Sequence, residues 1–346
     1  MSTNRNNGNK TTKIVRFDKY GDADSLRFEN IPLAEPGPDE VRIRVEGMSL
    51  NRADILFRKN TYFIDATLPE SRIGMDAAGV IEAVGETVEG FQLGDRVLTW
   101  VGFDVSKYGV HGETAIIPAA FVTKYPDFLT PIEAASITAT YTTVYGALIE
   151  DGELKQGDHV LITAASSSVG VAAIQVVNAV GAIPIAATRS AAKKQALLDA
   201  GAAHVVVTDD MKLGEAVLEI TGGRGAEFIF DPIAVGILEE LSMAAAVGAT
   251  IVIYGTLGDS GPLGQMPARL PLLPLLGKQF NIRGYNNYAL SGDAERRQRA
   301  LDWVTEGIRS GKLKVAVAKS FKFNKYADAH RYLESNEQIG RVVVHI

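Results

Sequence analysis

Val160-Leu-Ile-Thr-Ala-Ala-Ser-Ser-Ser-Val-Gly170 decides the fold, because it joins a buried strand to a helix through small residues. Val160 to Thr163 is a short apolar, β-branched run of the kind a buried parallel strand requires. Ala164 to Ser168 are all small. After Val169-Gly170, apolar residues recur at helical spacing as Val171, Ile174, Val177 and Val180. Gly181 ends that helix, since glycine accepts the left-handed backbone found at helix termini. Working outward, Ile183 to Ala187 reads as a second strand, Ala191 to Ala200 as a helix, and His204 to Val207 as a third strand. Strand, helix, strand, helix, strand at this spacing predicts an α/β fold with a doubly wound parallel sheet of Rossmann type.

A helix that starts at the end of a buried strand aims unpaired N–H groups and a positive dipole end at whatever lies there, and phosphate is the natural occupant. In the dinucleotide pattern G-x-G-x-x-G the glycines permit the tight turn, the close approach of pyrophosphate and close helix–strand packing. Here the six positions are Ala165-Ser166-Ser167-Ser168-Val169-Gly170, so only the third glycine is kept. The substitutes are small, and Ser166, Ser167 and Ser168 add hydroxyls near the phosphates. These residues alone leave open a small-residue turn in an unrelated α/β protein.

The end of the second strand bears on which nucleotide fits. An NAD site carries an Asp or Glu there for the ribose hydroxyls. Here the strand runs out at Thr188-Arg189-Ser190, with Lys193 and Lys194 one turn on and no carboxylate before Asp199. Arginine offers a planar fork suited to phosphate and lysine adds a point charge, so the pattern favours NADPH over NADH. A solvated basic helix start is the plainer alternative.

The 346 residues suit one large or two medium domains. A net charge of −6 gives no basic footprint for nucleic acid or anionic membrane. Cysteine is absent, which excludes disulfides, thiolate zinc sites and cysteine nucleophiles and fits a reducing cytoplasm. No apolar run reaches transmembrane length. Residues 1–12 lack the apolar core of a secretion signal and are expected to be a disordered tail.

From Lys13 the chain turns β-rich. Lys13 to Phe17, Leu26 to Glu29, Val41 to Val45, Val80 to Val84, Arg96 to Thr99 and Thr114 to Ile117 alternate or nearly alternate, with prolines and glycines between them. Helical spacing takes over near Pro131. Beyond His204, Glu215 to Thr221 and Ile237 to Val247 read as helices, and Ala226 to Phe230, Thr250 to Tyr254 and Phe280 to Arg283 as strands. Ala294 to Ser310 is helical and Arg341 to His345 is a closing strand. Pro262 to Leu276 is a connection too broken by proline for one regular helix.

Several motifs together carry a resemblance. Gly74-Met-Asp-Ala-Ala-Gly-Val-Ile-Glu-Ala-Val-Gly85, continuing to Gly94-Asp-Arg-Val97, resembles the signature of the medium-chain dehydrogenase/reductase superfamily. Asn51-Arg-Ala-Asp54 with Tyr62, and Thr142-Thr-Val-Tyr-Gly-Ala-Leu148 followed by the serine turn, are similar to its zinc-free quinone oxidoreductase (zeta-crystallin-like) branch. The resemblance implies a GroES-like catalytic domain from residues 13–139 and 291–346 around an NADP-binding Rossmann domain at 140–290. It further implies NADPH in a cleft between them and a homodimer joined through the Rossmann sheets.

The superfamily's alcohol dehydrogenases hold zinc with cysteine and histidine. Here Met75 stands where the histidine of their Gly-His-Glu motif would be, and Met48-Ser-Leu-Asn51 replaces the cysteine loop. Methionine cannot replace imidazole on zinc, and His111, His159, His204, His330 and His345 show no pair at ligand spacing. A metal-free site polarises its acceptor by hydrogen bonds while nicotinamide carries the hydride. Asn51 and Tyr62 match the family positions whose side chains meet substrate. By residue type alone they read equally as a turn cap and a loop tyrosine. Asp54 reads as a helix-start carboxylate and Asp76 as structural.

Thr143 matches the residue that contacts nicotinamide. Asp231, Gly255 and Thr256 fall at the carboxyl ends of strands, where such sheets bind ligands. Tyr285-Asn286-Asn287 follows the last strand and either borders the nicotinamide pocket or forms a turn. The expected activity is an NADPH-dependent reductase of a quinone or α,β-unsaturated carbonyl. A 2-enoyl thioester reductase and a non-catalytic, crystallin-like NADPH-binding protein are the alternatives.

Overall fold

Six parallel strands carry the serine turn: β1 (His159–Ile162), β2 (Ile183–Thr188), β3 (His204–Val207), β4 (Ala226–Asp231), β5 (Ala245–Ile253) and β6 (Asn281–Gly284). They lie in the order β3-β2-β1-β4-β5-β6. Registers such as Ile185 with Leu161 and Ile229 with Leu161 place apolar residues side by side through the sheet. Leu161, Ile185, Val206, Ile229 and Ile251 are buried with Val217 and Leu241 of the covering helices. The order reverses between β1 and β4, and in such sheets the crevice at the carboxyl ends of these two strands is where ligands bind.

The computed structural model describes residues 10–258 and 269–346, and their contacts divide into two units. The sheet belongs to the unit Ile137–Lys319 with Glu337–Val342. The other comprises residues up to Ser136, Ser320–Asn336 and Val343–Ile346. The helix Ala294–Arg309, which the sequence reading assigned to the β-rich domain, groups with the sheet. Arg296 and Arg299 hold Glu150 at 2.8 and 2.7 Å, and the rings of Trp303 and Tyr145 lie 5.5 Å apart.

The β-rich unit is built on Glu40–Ser49, which pairs antiparallel with Asp76–Val84 and with Thr114–Pro118. Arg96–Thr99 continues the sheet from Asp76–Val84, and Val122–Lys124 pairs with Arg96–Thr99. On the other side Val343 pairs with Ser49 and His345 with Gly47. A separate ribbon pairs Thr11–Phe17 with Leu26–Pro32.

Several expectations need correction. The tail expected over residues 1–12 is a strand from Thr11, because Thr11 and Thr12 pair with Pro32 and Ile31; residues 1–9 lie outside the described residues. The helix expected to Val247 stops at Ala244, because Ala245 pairs with Ala226 of β4 and Gly248, at φ +76°, cannot continue a helix. Within the expected Pro262–Leu276 connection, residues 262–268 lie outside the described residues. The rest enters a helix, Leu272–Lys278, with Pro274 in the first turn, where its missing N–H costs nothing. Among the described residues the helices Val105–Tyr108, Tyr288–Ser291 and Tyr326–Glu334 went unread. The first two are too short to show a period. Among the described residues no helix is long and apolar enough to cross a membrane.

Candidate functional site

The turn after β1 is held from both flanking strands. Thr163 N–H donates to the Phe230 carbonyl of β4 at 3.2 Å, and Ala165 N–H to that of Ala187 in β2 at 3.1 Å. Helix α1 (Ser168–Ala179) then begins with Ser167 as its N-cap, whose hydroxyl accepts from Gly170 N–H at 3.0 Å. One orphan donor of the helix start is thereby satisfied by side chain. A Cβ on Gly170 would stand 2.6 Å from the backbone of Ala165, so the third glycine of the pattern is required by packing. Val169 is half-buried beside it.

Cations gather on the serines. Lys193 Nζ donates to Ser166 Oγ at 3.1 Å and to the Gln338 carbonyl at 3.3 Å. Arg341, 2% exposed, reaches Ser168 Oγ at 3.4 Å, and Gly340 N–H donates to the Ser166 carbonyl at 3.1 Å. Burial, and then the neighbouring Arg189, hold the Lys193 ammonium below its ordinary range, with Glu337 as the opposing charge. Thr188 is buried at the end of β2; Arg189 and Ser190 are exposed, and Ser190 Oγ accepts from Ala192 N–H at 3.3 Å. Sequence reading missed Arg341 and Gln338. The available signal was an arginine opening an otherwise apolar strand next to Gly340.

Asp231 is fully buried at the end of β4 and serves as a brace. Thr163 donates its hydroxyl to one carboxylate oxygen, and the N–H groups of Ile233 and Ala234 donate to the other at 3.1 and 2.6 Å. Burial pushes its carboxyl above the usual range. Gly255 and Thr256 follow β5. Next to them Leu257 N–H donates to the Pro232 carbonyl at 2.7 Å, which ties the loops after β4 and β5 together.

Thr143 lies in the helix Pro131–Val144, where its hydroxyl donates to the Ala139 carbonyl at 2.8 Å. The helix then widens into a π-turn, Tyr145–Glu150, a feature frequent at functional sites. Asn287, beyond β6, donates to Thr142 Oγ1 at 2.9 Å. The Thr142–Thr143 step and the Tyr285–Asn287 segment therefore meet.

In the β-rich unit, Asn51 caps the helix Arg52–Arg58. Its N–H donates to Asp54 Oδ2 at 2.7 Å, and its side-chain Nδ2 donates to Asp76 Oδ2 at 2.9 Å. Asp76, fully buried, is held in turn by His111, whose Nε2 lies 3.3 Å from the Asp76 carbonyl. Nδ1 of His111 lies 2.5 Å from the Tyr326 hydroxyl. A carbonyl only accepts, so the tautomer that satisfies both contacts has Nε2–H donating to Asp76 and Tyr326 O–H donating to Nδ1. Gly74, at φ +101°, makes room: a Cβ there would stand 2.1 Å from the His111 ring. Met75 is buried, and Tyr62 is half-exposed with its ring 4.2 Å from that of Phe63.

Comparison with known proteins follows the same division. A sequence model described as alcohol dehydrogenase GroES-like domain matches residues 37–127, and one described as zinc-binding dehydrogenase matches 168–306. The chain is 28% identical to the quinone oxidoreductase of Lama guanicoe, over 97% of this chain and 98% of that protein. Its fold matches the quinone oxidoreductase of Pseudomonas syringae with TM-score 0.87 at 25% identity, covering 97% of this chain and 100% of that one. It matches Escherichia coli quinone oxidoreductase complexed with NADPH with TM-score 0.86 at 25% identity, covering 96% and 100%. With the two models matched at 37–127 and 168–306 and a quinone oxidoreductase aligned over 97% of it, the chain belongs to the medium-chain dehydrogenase/reductase superfamily, in the branch of the quinone oxidoreductases.

Proposed function

We propose that this protein is an NADPH-dependent oxidoreductase that works without zinc and delivers hydride to a quinone or an α,β-unsaturated carbonyl. The observation that carries the reading is the serine turn at the sheet's switch point, with Lys193 and Arg341 on its hydroxyls and Arg189 beside Lys193. Cations gathered at a helix start, beside Glu337, suit an anion, and a nucleotide phosphate is one. The Escherichia coli relative complexed with NADPH supports the same cofactor.

In this reading Ser166, Ser167, Ser168, Val169 and Gly170 hold the pyrophosphate, and Arg189 and Lys193, flanked by Thr188 and Ser190, take the ribose phosphate. Thr143, Asp231, Gly255 and Thr256 shape the remainder of the nucleotide side. Bound reduced nicotinamide supplies the hydride. Asn51, held by Asp76, orients the acceptor, and the Tyr62 phenol donates to the oxygen where negative charge builds. The absence of cysteine and Met75 in the histidine position support action without zinc.

We also read the chain as a cytoplasmic homodimer. The edge strand β6, with Ile282 38% exposed, and Leu272, Leu273 and Leu276 at 64, 82 and 71% exposure, support an association through the sheet edge. Light scattering that gives the mass of one chain at micromolar concentration would end that proposal.

Arg189→Ala tests the cofactor. Loss of a charge-assisted contact should weaken NADPH by about tenfold or more and leave NADH nearly unchanged. Equal losses would refute the phosphate contact. Steady-state oxidation of NADPH with a panel of quinones and enals tests the reaction, and tight NADPH binding without turnover of any of them would overturn the reductase reading. Activity should survive a chelator.

A further inference from the structure

In the unit that carries Asn51, the strand Thr11–Phe17 pairs antiparallel with the two-residue strand Ser71–Arg72, and the register sets Arg16 directly opposite Arg72. Opposed residues of such a pair share a face and interact directly, and like charges there destabilise. Arg16 has Glu70 at 3.3 Å and Glu29 at 3.7 Å, although Arg27 holds Glu29 more closely, at 2.6 Å.

Arg72 has much less. One guanidinium nitrogen meets the Thr114 carbonyl at 3.4 Å, and its buried Nε has no hydrogen-bond partner among the described residues. Burial, and then Arg16 alongside, bring the Arg72 guanidinium down to about 10, and no carboxylate enters that balance. Both arginines line a cavity of about 340 Å³ together with Thr67, Glu70, Asp104 and Ser106. Of its acids, Asp104 is turned to the N–H of Ser106 at 2.9 Å and Glu70 to Arg16. Among the described residues no carboxylate pairs with Arg72 at the cavity wall. The acids of this pair, Glu70 and Glu29, both lie on Arg16, and such an arrangement around Arg72 conflicts with stability unless a ligand completes the set.

We propose that this cavity is an oxyanion site that takes a phosphoryl group, as free phosphate or as a small phosphate monoester, on the forks of Arg72 and Arg16. The planar guanidinium matches phosphate oxygens in pairs, and the hydroxyl-bearing Thr67 and Ser106 line the same wall. The volume is at the lower end of ligand pockets, about 300–1,000 Å³, and leaves room for more than a bare ion. This site is independent of the serine turn, which lies in the other unit.

The test is calorimetric titration of the full chain at constant ionic strength with inorganic phosphate, glycerol 3-phosphate and, as a dicarboxylate control, succinate. Wild type should bind a phosphate species with a dissociation constant of about 1 mM or below. Arg72→Gln should weaken it about tenfold or more, and Arg189→Ala, on the nucleotide side, should leave it unchanged. Tighter binding of the ester would identify a phosphorylated metabolite as the source; equal binding would identify phosphate itself. Without ligand, Arg72→Gln should melt no lower than wild type, because it removes a like-charge pair; if it fails to fold, Arg16→Gln reads the same site. No heat in wild type, undiminished binding in Arg72→Gln, a loss confined to Arg189→Ala, or succinate binding as tightly as phosphate would each overturn the proposal.

Discussion

The Ser166–Gly170 turn and the Asn51 node both place polar side chains in largely buried surroundings, but they are assembled differently. In the turn, the cap that starts α1 comes from three residues away, and the brace Asp231 spends its second oxygen on the next two N–H groups. The Asn51 node instead draws on Asp76, His111 and Tyr326, and the helix behind it is tied down by Arg58, which reaches Glu334 at 2.7 Å and the Gly21 carbonyl at 2.6 Å. A site of the first kind takes its cap from a motif, with cations and flanking strands brought by the fold, and a site of the second takes nearly all its partners from the fold. The first should therefore fail locally when altered, and the second should fail by loosening its unit.

The strongest way to break this contrast is at Arg58, whose side chain is fully buried. Glu334→Gln leaves that guanidinium without its carboxylate, which should cost about 3 kcal/mol in denaturant unfolding. The pH dependence carries the same information. Although burial raises the Glu334 carboxyl, Lys59 and Arg58 hold it below the usual range. A depressed acid contributes stability above its unfolded value and loses it as pH falls through the folded one. Wild type should therefore lose this increment on acidification, and Glu334→Gln should not. Parallel acid curves for the two proteins would show that the pair contributes nothing.

Next in size is the local side. Gly170→Ala places a Cβ where only 2.6 Å is available, against backbone that two strands hold in place. Overpacking of this kind costs about 1–3 kcal/mol. The displacement is confined to the first turn of α1, so nucleotide titration should show a larger loss than unfolding does, with the melting of the β-rich unit unchanged. A variant that keeps full NADPH affinity would detach the turn from the nucleotide.

The same contrast explains what could be read from the chain. β1 to β4, α1 and its end at Gly181, φ +79°, follow from hydrophobic period and glycine chemistry, which act over a few residues. Arg341 on Ser168 was invisible because 173 residues separate them. Asn51 could be named from the family pattern, but its hold on Asp76 could not, since that bond requires two strands and a helix start to be in place. At Asp231 the strand end was legible but its bonds were not: its oxygens accept from Thr163, Ile233 and Ala234.

The smallest change separates a hydrogen bond from the packing around it. Tyr326 is buried between two imidazoles, with ring centroids 5.4 Å from His111 and 4.8 Å from His330. Tyr326→Phe keeps that packing and removes only the hydroxyl, leaving Nδ1 of a buried His111 without its donor. Loss of one buried partner should cost about 1 kcal/mol. Because Tyr326 fixes which nitrogen bears the proton, nitrogen NMR of the His111 ring should report the Nε2–H tautomer in wild type and a changed ring signature in the variant. If the tautomer loosens, the His111 bond to Asp76 weakens and Asn51 loses its anchor, so the acceptor KM should rise while NADPH affinity stays fixed. An unchanged ring signature with an unchanged KM would mean that strand pairing alone holds Asp76, and that the Asn51 node is as locally determined as the serine turn.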